Sequence, residues 1–137
     1  MILPGIQGLF GFQLIAVFNA RFSALPRHDQ IIHFTAVILI AVAIGLIMTP
    51  AAYHRQVEPG KNTTRFVQLA SMLVAAALVP LMVGLAMEIY ILEELIFPGA
   101  MPNGLLALAM LAFFAGAWFG YPWWAQRHSG NRRHGAQ

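Results

Sequence analysis

The sequence predicts an all-α protein, a four-helix transmembrane bundle with both termini in the cytoplasm. Its composition is 59% hydrophobic and only 9% charged, and so few charges cannot provide the polar surface that a soluble domain needs. The apolar residues also form four long blocks rather than stripes, which indicates that lipid is the solvent. The net charge of +3 comes from short segments beside these blocks, a pattern typical of membrane topology rather than of nucleic-acid binding.

The first predicted span, residues 3–20, is the most polar of the four. Its amides include Gln13 and Asn19, and an amide in hydrocarbon is stable only when it has a hydrogen-bond partner. Gly8 and Ala16 belong to a row of mostly small residues at a spacing of four, which favours close helix packing. We expect Gln13 either to make an interhelical hydrogen bond or to line a pore or ligand site.

The second predicted span covers residues 31–52. Asp29 precedes it at a position suited to a helix N-cap. Gly45 lies in a row of small residues at a spacing of four, which favours helix contact. Tyr53 and Arg55 follow the apolar block, and an aromatic residue beside a basic one is typical of the membrane interface. They are the predicted interfacial anchors of this span.

The third predicted span, residues 66–92, carries an unusual row at a spacing of four. The row leads from Ala76 through Pro80 and Gly84 to Glu88, an ionisable residue that is still inside the apolar block. Small residues permit close helix approach, and a proline bends a helix or forms a hinge. Small residues and an ionisable residue in one row do not stabilise a helix that is surrounded only by lipid, so we expect other helices to pack on this row.

The fourth predicted span covers residues 104–124, the last of a single transmembrane domain at residues 1–125. It contains a GxxxG motif that favours close helix contact, Gly116 and Gly120. Its aromatic end and the first basic residue beyond it are predicted interfacial anchors, namely Trp118, Trp123, Trp124 and Arg127. Residues 126–137 are predicted to form a basic cytoplasmic tail, and its polar, glycine-containing part, SGNRRHGAQ at residues 129–137, is expected to be disordered.

The distribution of basic residues predicts the orientation of the four spans. Six lie in the tail or in the second link, which is the segment between the second and third spans, namely Arg55, Lys61, Arg65, Arg127, Arg132 and Arg133. Two lie in the first link, Arg21 and Arg27, and the third link has none. The positive-inside rule therefore places both termini in the cytoplasm.

This orientation brings several polar residues to one level near the outer face. His33 and Glu88 each lie about one turn inside the outer end of a span, at a helical rise of ~1.5 Å per residue. We predict that they form one polar cluster with Asn19, Arg21 and Gln13. A carboxylate at the bilayer centre costs roughly 2.5 to 3.5 kcal/mol. Glu88 is therefore expected to pair with His33 or Arg21, to extend to the interface, or to handle protons or cations together with the titratable His33.

The sequence predicts neither a cofactor nor a metal site. It contains no cysteine. His33 and His54 are 21 residues apart, or ~31 Å along a helix, so they cannot bind one haem, although a haem shared between protomers stays open. The histidines beside Asp29, His28 and His33, are five residues apart and do not have the i, i+4 spacing of a helical pair of metal-binding histidines.

Three segments resemble a known family. They are LPGIQGLFGFQL (Leu3–Leu14), the exit at Phe18–Phe22, and PAAYHR (Pro50–Arg55). These segments resemble an uncharacterised family of small bacterial integral membrane proteins, described only as a domain of unknown function, and the resemblance covers residues 3–92. It implies a multi-pass protein of the bacterial inner membrane and implies no activity.

The sequence leaves three hypotheses on function. The surplus of small-residue rows favours a non-enzymatic structural or accessory subunit, whose partners are lipid and other membrane subunits or further copies of the chain. The alternative is a homo-oligomeric ion channel or proton-linked transporter that uses the outer cluster of His33, Glu88 and Gln13. A membrane enzyme or redox protein has the least support, because no catalytic constellation is present.

Overall fold

The computed structural model describes residues 3–19, 22–57, 64–99, 102 and 104–133. These residues are helical almost throughout and contain no strand, so the predicted all-α class is confirmed. The helices are α1 (Leu3–Val17), α2 (Arg27–Val57), α3 (Thr64–Ile96), α4 (Leu105–Ala115) and α5 (Tyr121–Arg133). A 3-10 turn at Phe22–Ala24 precedes α2, and a π-helical turn at Gly116–Gly120 joins α4 to α5 without a break.

In the described part of the chain, three helical segments are long and apolar enough to cross a membrane. They are Arg27–Gln56 with 30 residues, Thr64–Ile96 with 33 residues, and Leu105–His128 with 24 residues. Helix α1 is apolar but has only 15 residues, which gives a length of ~22 Å against a hydrocarbon core of ~30 Å. Helix α1 ends at Val17, three residues before the predicted end of the first span at residue 20.

The most extensive contact in the fold is between α2 and α3. Ile40 and Ala43 of α2 pack with Ala77 and Leu81 of α3. At Gly84 the two helices approach so closely that an added methyl group would lie 3.0 Å from Ile40 Cγ1 and 3.2 Å from the carbonyl oxygen of Ala36. Absence of a side chain at this position therefore sets the distance between the two long helices.

The turn between α3 and α4 holds these helices together at one end. Glu93, which is buried, accepts a hydrogen bond of 3.1 Å at its Oε2 from the backbone N–H of Leu106. That N–H belongs to the first turn of α4, where backbone donors have no partner within the helix. Gly104 precedes α4 with a φ of 86°, a left-handed conformation that glycine adopts without steric cost.

The predicted disorder of residues 129–137 is wrong for residues 129–133, because α5 continues to Arg133. Contacts one helical turn apart occur in the part of α5 that precedes these residues. The guanidinium carbon of Arg127 lies 3.6 Å from the centre of the Trp123 ring, and His128 Nδ1 lies 3.0 Å from the carbonyl oxygen of Trp124. Cation–π and i, i+4 contacts stabilise an exposed helix. Residues 134–137 lie outside the described part of the chain.

Candidate functional site

The buried polar side chains gather at one end of the bundle, which we call the polar end. At this end α1 and α3 finish and α2 and α4 begin. Among the described residues, the buried polar side chains are Gln13, Asp29, His33 and Glu93. Buried polar groups are stable only when other groups satisfy them, so their contacts identify the candidate site.

A contact between His33 and Glu88 forms the centre of the polar end. His33 Nδ1 lies 2.9 Å from Glu88 Oε1, and the two side chains are 6% and 20% exposed. On the other side of the imidazole ring, Nε2 lies 3.2 Å from the backbone carbonyl oxygen of Gln13. One histidine on α2 therefore connects α1 and α3.

The chemistry of these two contacts limits the protonation states of the pair. A backbone carbonyl oxygen can only accept a hydrogen bond, so Nε2 of His33 must be the donor to Gln13. The opposite nitrogen, Nδ1, lies 2.9 Å from Oε1 of Glu88, but Oε1 has no hydrogen bond of good geometry. One proton between these two atoms, as imidazolium with carboxylate or as imidazole with carboxylic acid, would satisfy both groups once the side chains are better aligned.

The side chain of Gln13 also lies beside Glu88. Neither its oxygen nor its nitrogen makes a hydrogen bond of good geometry, although both atoms are buried. A buried amide in this state costs about 1–3 kcal/mol. The backbone of Gln13 thus supports His33, whereas its side chain adds an unsatisfied polar group to the site.

The other members of the predicted cluster have different positions. Asn19 is exposed in the turn after α1 and lines the same groove as His33 and Glu88. Arg21 lies outside the described residues. Phe22, which sequence analysis did not select, places its ring edge-on to the His33 imidazole with 5.2 Å between ring centroids. No pattern in the sequence indicates this role, because it depends on how the 3-10 turn folds back over α2.

Two apolar grooves meet at His33. The α1–α2 groove has a volume of about 530 Å³, and Val17, Phe22 and Phe34 are among the residues that line it. The α1–α3 groove has a volume of about 250 Å³, and its lining includes Glu88. His33 lines both grooves. The His33–Glu88 pair therefore lies between two apolar grooves at the end of the bundle.

The predicted helix-packing residues differ in their surroundings. Gly84 is buried against α2. Gly8, Gly45 and Gly116 have no atom of another residue within 4 Å of the position that a Cβ atom would take, apart from their own helix backbone and chain neighbours. Ala16 and Gly120 are exposed. These five residues therefore present open faces of the described chain.

The predicted interfacial anchors also differ among themselves. Tyr53 is half-buried, whereas Arg55, Trp123, Trp124 and Arg127 are exposed. Trp118 is half-buried; it packs against the core cluster and stacks on Phe114, with 4.8 Å between the ring centroids.

These features define a small all-helical protein with three helices suited to crossing a membrane and a buried histidine–carboxylate pair at one end. Residues 1–122 match the Family of unknown function (DUF6328), and the chain belongs to this family. The match confirms the resemblance to an uncharacterised family and extends it beyond residues 3–92 to include α4. No curated protein and no solved structure matches the chain.

Proposed function

We propose that the protein crosses the bacterial inner membrane four times, with both termini in the cytoplasm and the polar end outside. The distribution of six basic residues against two supports this orientation. Helix α1 would make the shortest crossing, and its buried Gln13 faces protein rather than lipid.

Within this topology, we propose that the protein is a non-enzymatic structural or accessory subunit of a membrane assembly. The observation that carries the proposal is the π-helical turn at Gly116–Gly120, whose two glycines lie on an open face while Trp118 between them packs inward. A π-helical turn is rare, and it often marks a functional position. Ala107 is buried, and Gly116 follows nine residues later, which is about half a turn around the helix from it. Gly116 therefore points away from the side of α4 that the chain itself covers.

Gly84 shows how this protein uses a glycine in a helix contact. There the absent side chain lets α2 approach within about 3 Å. The open face at the end of α4 offers the same type of residue at Gly116 and Gly120, and no other helix among the described residues packs against it. A small-xxx-small pattern in lipid favours close packing of a second helix, and we propose that a helix of another subunit packs there.

The experiment is to extract the protein from its native membrane in a mild detergent and to identify what remains bound to it. We expect the wild type to purify in a complex of defined size, and Gly116→Leu to release the partner. Ala117→Leu is the matched control, because Ala117 is also exposed but lies ~100° around the helix. A monomer free of partners in the wild type, or equal release by both variants, would contradict the proposal.

A second candidate is a homo-oligomeric channel or proton-linked transporter. The pair of ionisable residues His33 and Glu88, between two apolar grooves, favours it. The test measures pH-driven flux into liposomes that contain the purified protein. Glu88→Gln and His33→Ala are expected to reduce the flux, while Thr49→Val, which changes an exposed residue bonded within its own helix, leaves it unchanged. Flux that is absent, or the same in all these proteins, excludes this candidate.

A further inference from the structure

We infer that His28, Asp29 and Glu94 form a binding site for a divalent transition-metal ion at the polar end. Each residue offers one ligand atom, and these atoms lie within 4.8 Å of one another. His28 and Asp29 belong to the first turn of α2, and Glu94 belongs to the last turn of α3. The three residues are separate from the His33–Glu88 pair, and the inference does not depend on the proposed function.

The spacing of His28 and Asp29 fits two ligands of one ion. His28 Nε2 lies 2.9 Å from Asp29 Oδ1, yet Oδ1 has no hydrogen bond of good geometry. The ring nitrogen is therefore close to the carboxylate oxygen without pointing at it. Two ligands at ~2.1 Å from an ion and at the right angles of octahedral coordination are ~3.0 Å apart. The observed pair has this separation, so an ion beside the two atoms could contact both of them.

Electrostatics also favours a cation at this position. Asp29 is only 4% exposed, and the Glu94 carboxylate is near it. Two carboxylates at this distance repel each other, and burial makes the charged forms more costly. The side chain that approaches Asp29 within ion-pair distance is His28, which is 61% exposed and carries no charge when it is neutral. A divalent ion would balance both carboxylates and would use the neutral imidazole as its third ligand.

The surroundings provide orientation and space. The Tyr90 hydroxyl donates a hydrogen bond to Glu94 from one helical turn away, the type of outer contact that orients a ligating carboxylate. Asp29 and Glu94, but not His28, line a cavity of about 180 Å³, together with Leu25, Pro26, Ile91 and Leu95. One water occupies ~30 Å³, so the cavity has room for an ion with water molecules on its open positions.

The donor set indicates the class of ion. One imidazole nitrogen with two carboxylate oxygens suits Zn²⁺, Mn²⁺ or Fe²⁺, whereas Ca²⁺ and Mg²⁺ prefer oxygen ligands alone. The spacing of His28, Asp29 and His33 along one segment does not indicate this site. The third ligand comes from α3, 65 residues after Asp29.

The experiment uses the full-length protein in detergent, without a polyhistidine tag and after removal of metal with a chelator. ZnCl₂ and MnCl₂ are the probes in calorimetric titrations, and thermal unfolding with and without metal is a second readout. We expect saturable binding of one ion per chain to at least one probe, with a higher Tm, since a ligand that binds only the folded state stabilises it.

The variants test the assignment of the ligands. His28→Ala and Glu94→Gln are expected to weaken binding about tenfold or more, and His28 is so exposed that its replacement should leave folding intact. His54→Ala and His128→Ala remove histidines outside the site and should leave the affinity unchanged. Absence of saturable binding to both probes, binding that survives His28→Ala and Glu94→Gln, or equal loss in all four variants would overturn the inference.

Discussion

Replacement of Gly84 by alanine tests the packing of the two long helices. The added methyl group would lie 3.0 Å from Ile40 Cγ1 and 3.2 Å from the Ala36 carbonyl oxygen. Ile40 is fully buried, and the carbonyl belongs to the α2 backbone, so neither neighbour can move easily. Overpacking of this kind costs about 1–3 kcal/mol, whereas the change from glycine to alanine within a helix gains about 1 kcal/mol.

Gly45→Ala is the matched control for this substitution. Gly45 also lies inside a long helix, but a Cβ atom there has no contact within 4 Å. Both variants gain the same helix propensity, so the difference between their unfolding free energies isolates the steric cost. We expect Gly84→Ala to be less stable than Gly45→Ala by about 1–3 kcal/mol.

Unfolding in detergent micelles, followed by tryptophan fluorescence, measures this difference. Ile40→Ala, which removes Cγ1, should reduce the cost of Gly84→Ala in a double-mutant cycle, because it removes one of the two neighbours. Equal stability of the two single variants would refute the close approach of α2 and α3 at Gly84. A cycle without coupling would show that Ile40 is not the neighbour that resists the methyl group.

The remaining predictions concern the polar end. His33→Ala should lower the unfolding free energy by about 1–3 kcal/mol, because it leaves the half-buried Glu88 without its partner. Adding Glu88→Ala to the same chain should recover part of this loss. If denaturation curves show that the two losses simply add, the two residues do not stabilise each other as a pair. Glu93→Gln should accelerate hydrogen exchange at the Leu106 amide, since a neutral acceptor makes a weaker bond than a carboxylate, and an unchanged rate in NMR or mass spectrometry would exclude that bond. Gly104→Ala should lower Tm, because a side chain at a φ of 86° is strained; a higher Tm would be inconsistent with the left-handed turn.

Hydrophobic blocks in the sequence were sufficient to locate the long helices. The predicted spans at residues 31–52, 66–92 and 104–124 lie within or nearly within helices that extend further into polar segments. Hydropathy marks what lipid can surround, whereas a helix continues as long as its backbone and local side-chain contacts allow. The stacking of Arg127 on Trp123 illustrates the difference, because it stabilises helix beyond the apolar block.

The depth of a residue along a helix could be predicted from the sequence, but the neighbouring helix toward which the residue faces could not. A rise of ~1.5 Å per residue assigned His33 and Glu88 to one depth, and the structure brings them to 2.9 Å. The rotation of each helix about its axis depends on tertiary packing such as that of Gly84 on Ile40. For the same reason, the approach of Glu94 to Asp29 and the position of Phe22 over His33 could not be derived from sequence spacing.

The most direct test of the proposed topology is labelling of single cysteines in intact cells. The chain has no cysteine of its own, so Pro98→Cys in the exposed turn at the polar end and Lys61→Cys in the second link each provide one site. If the polar end is outside the cell, a membrane-impermeant maleimide labels position 98 in intact cells and labels position 61 only after lysis. Labelling of position 61 in intact cells, with position 98 protected until lysis, would contradict the proposed orientation.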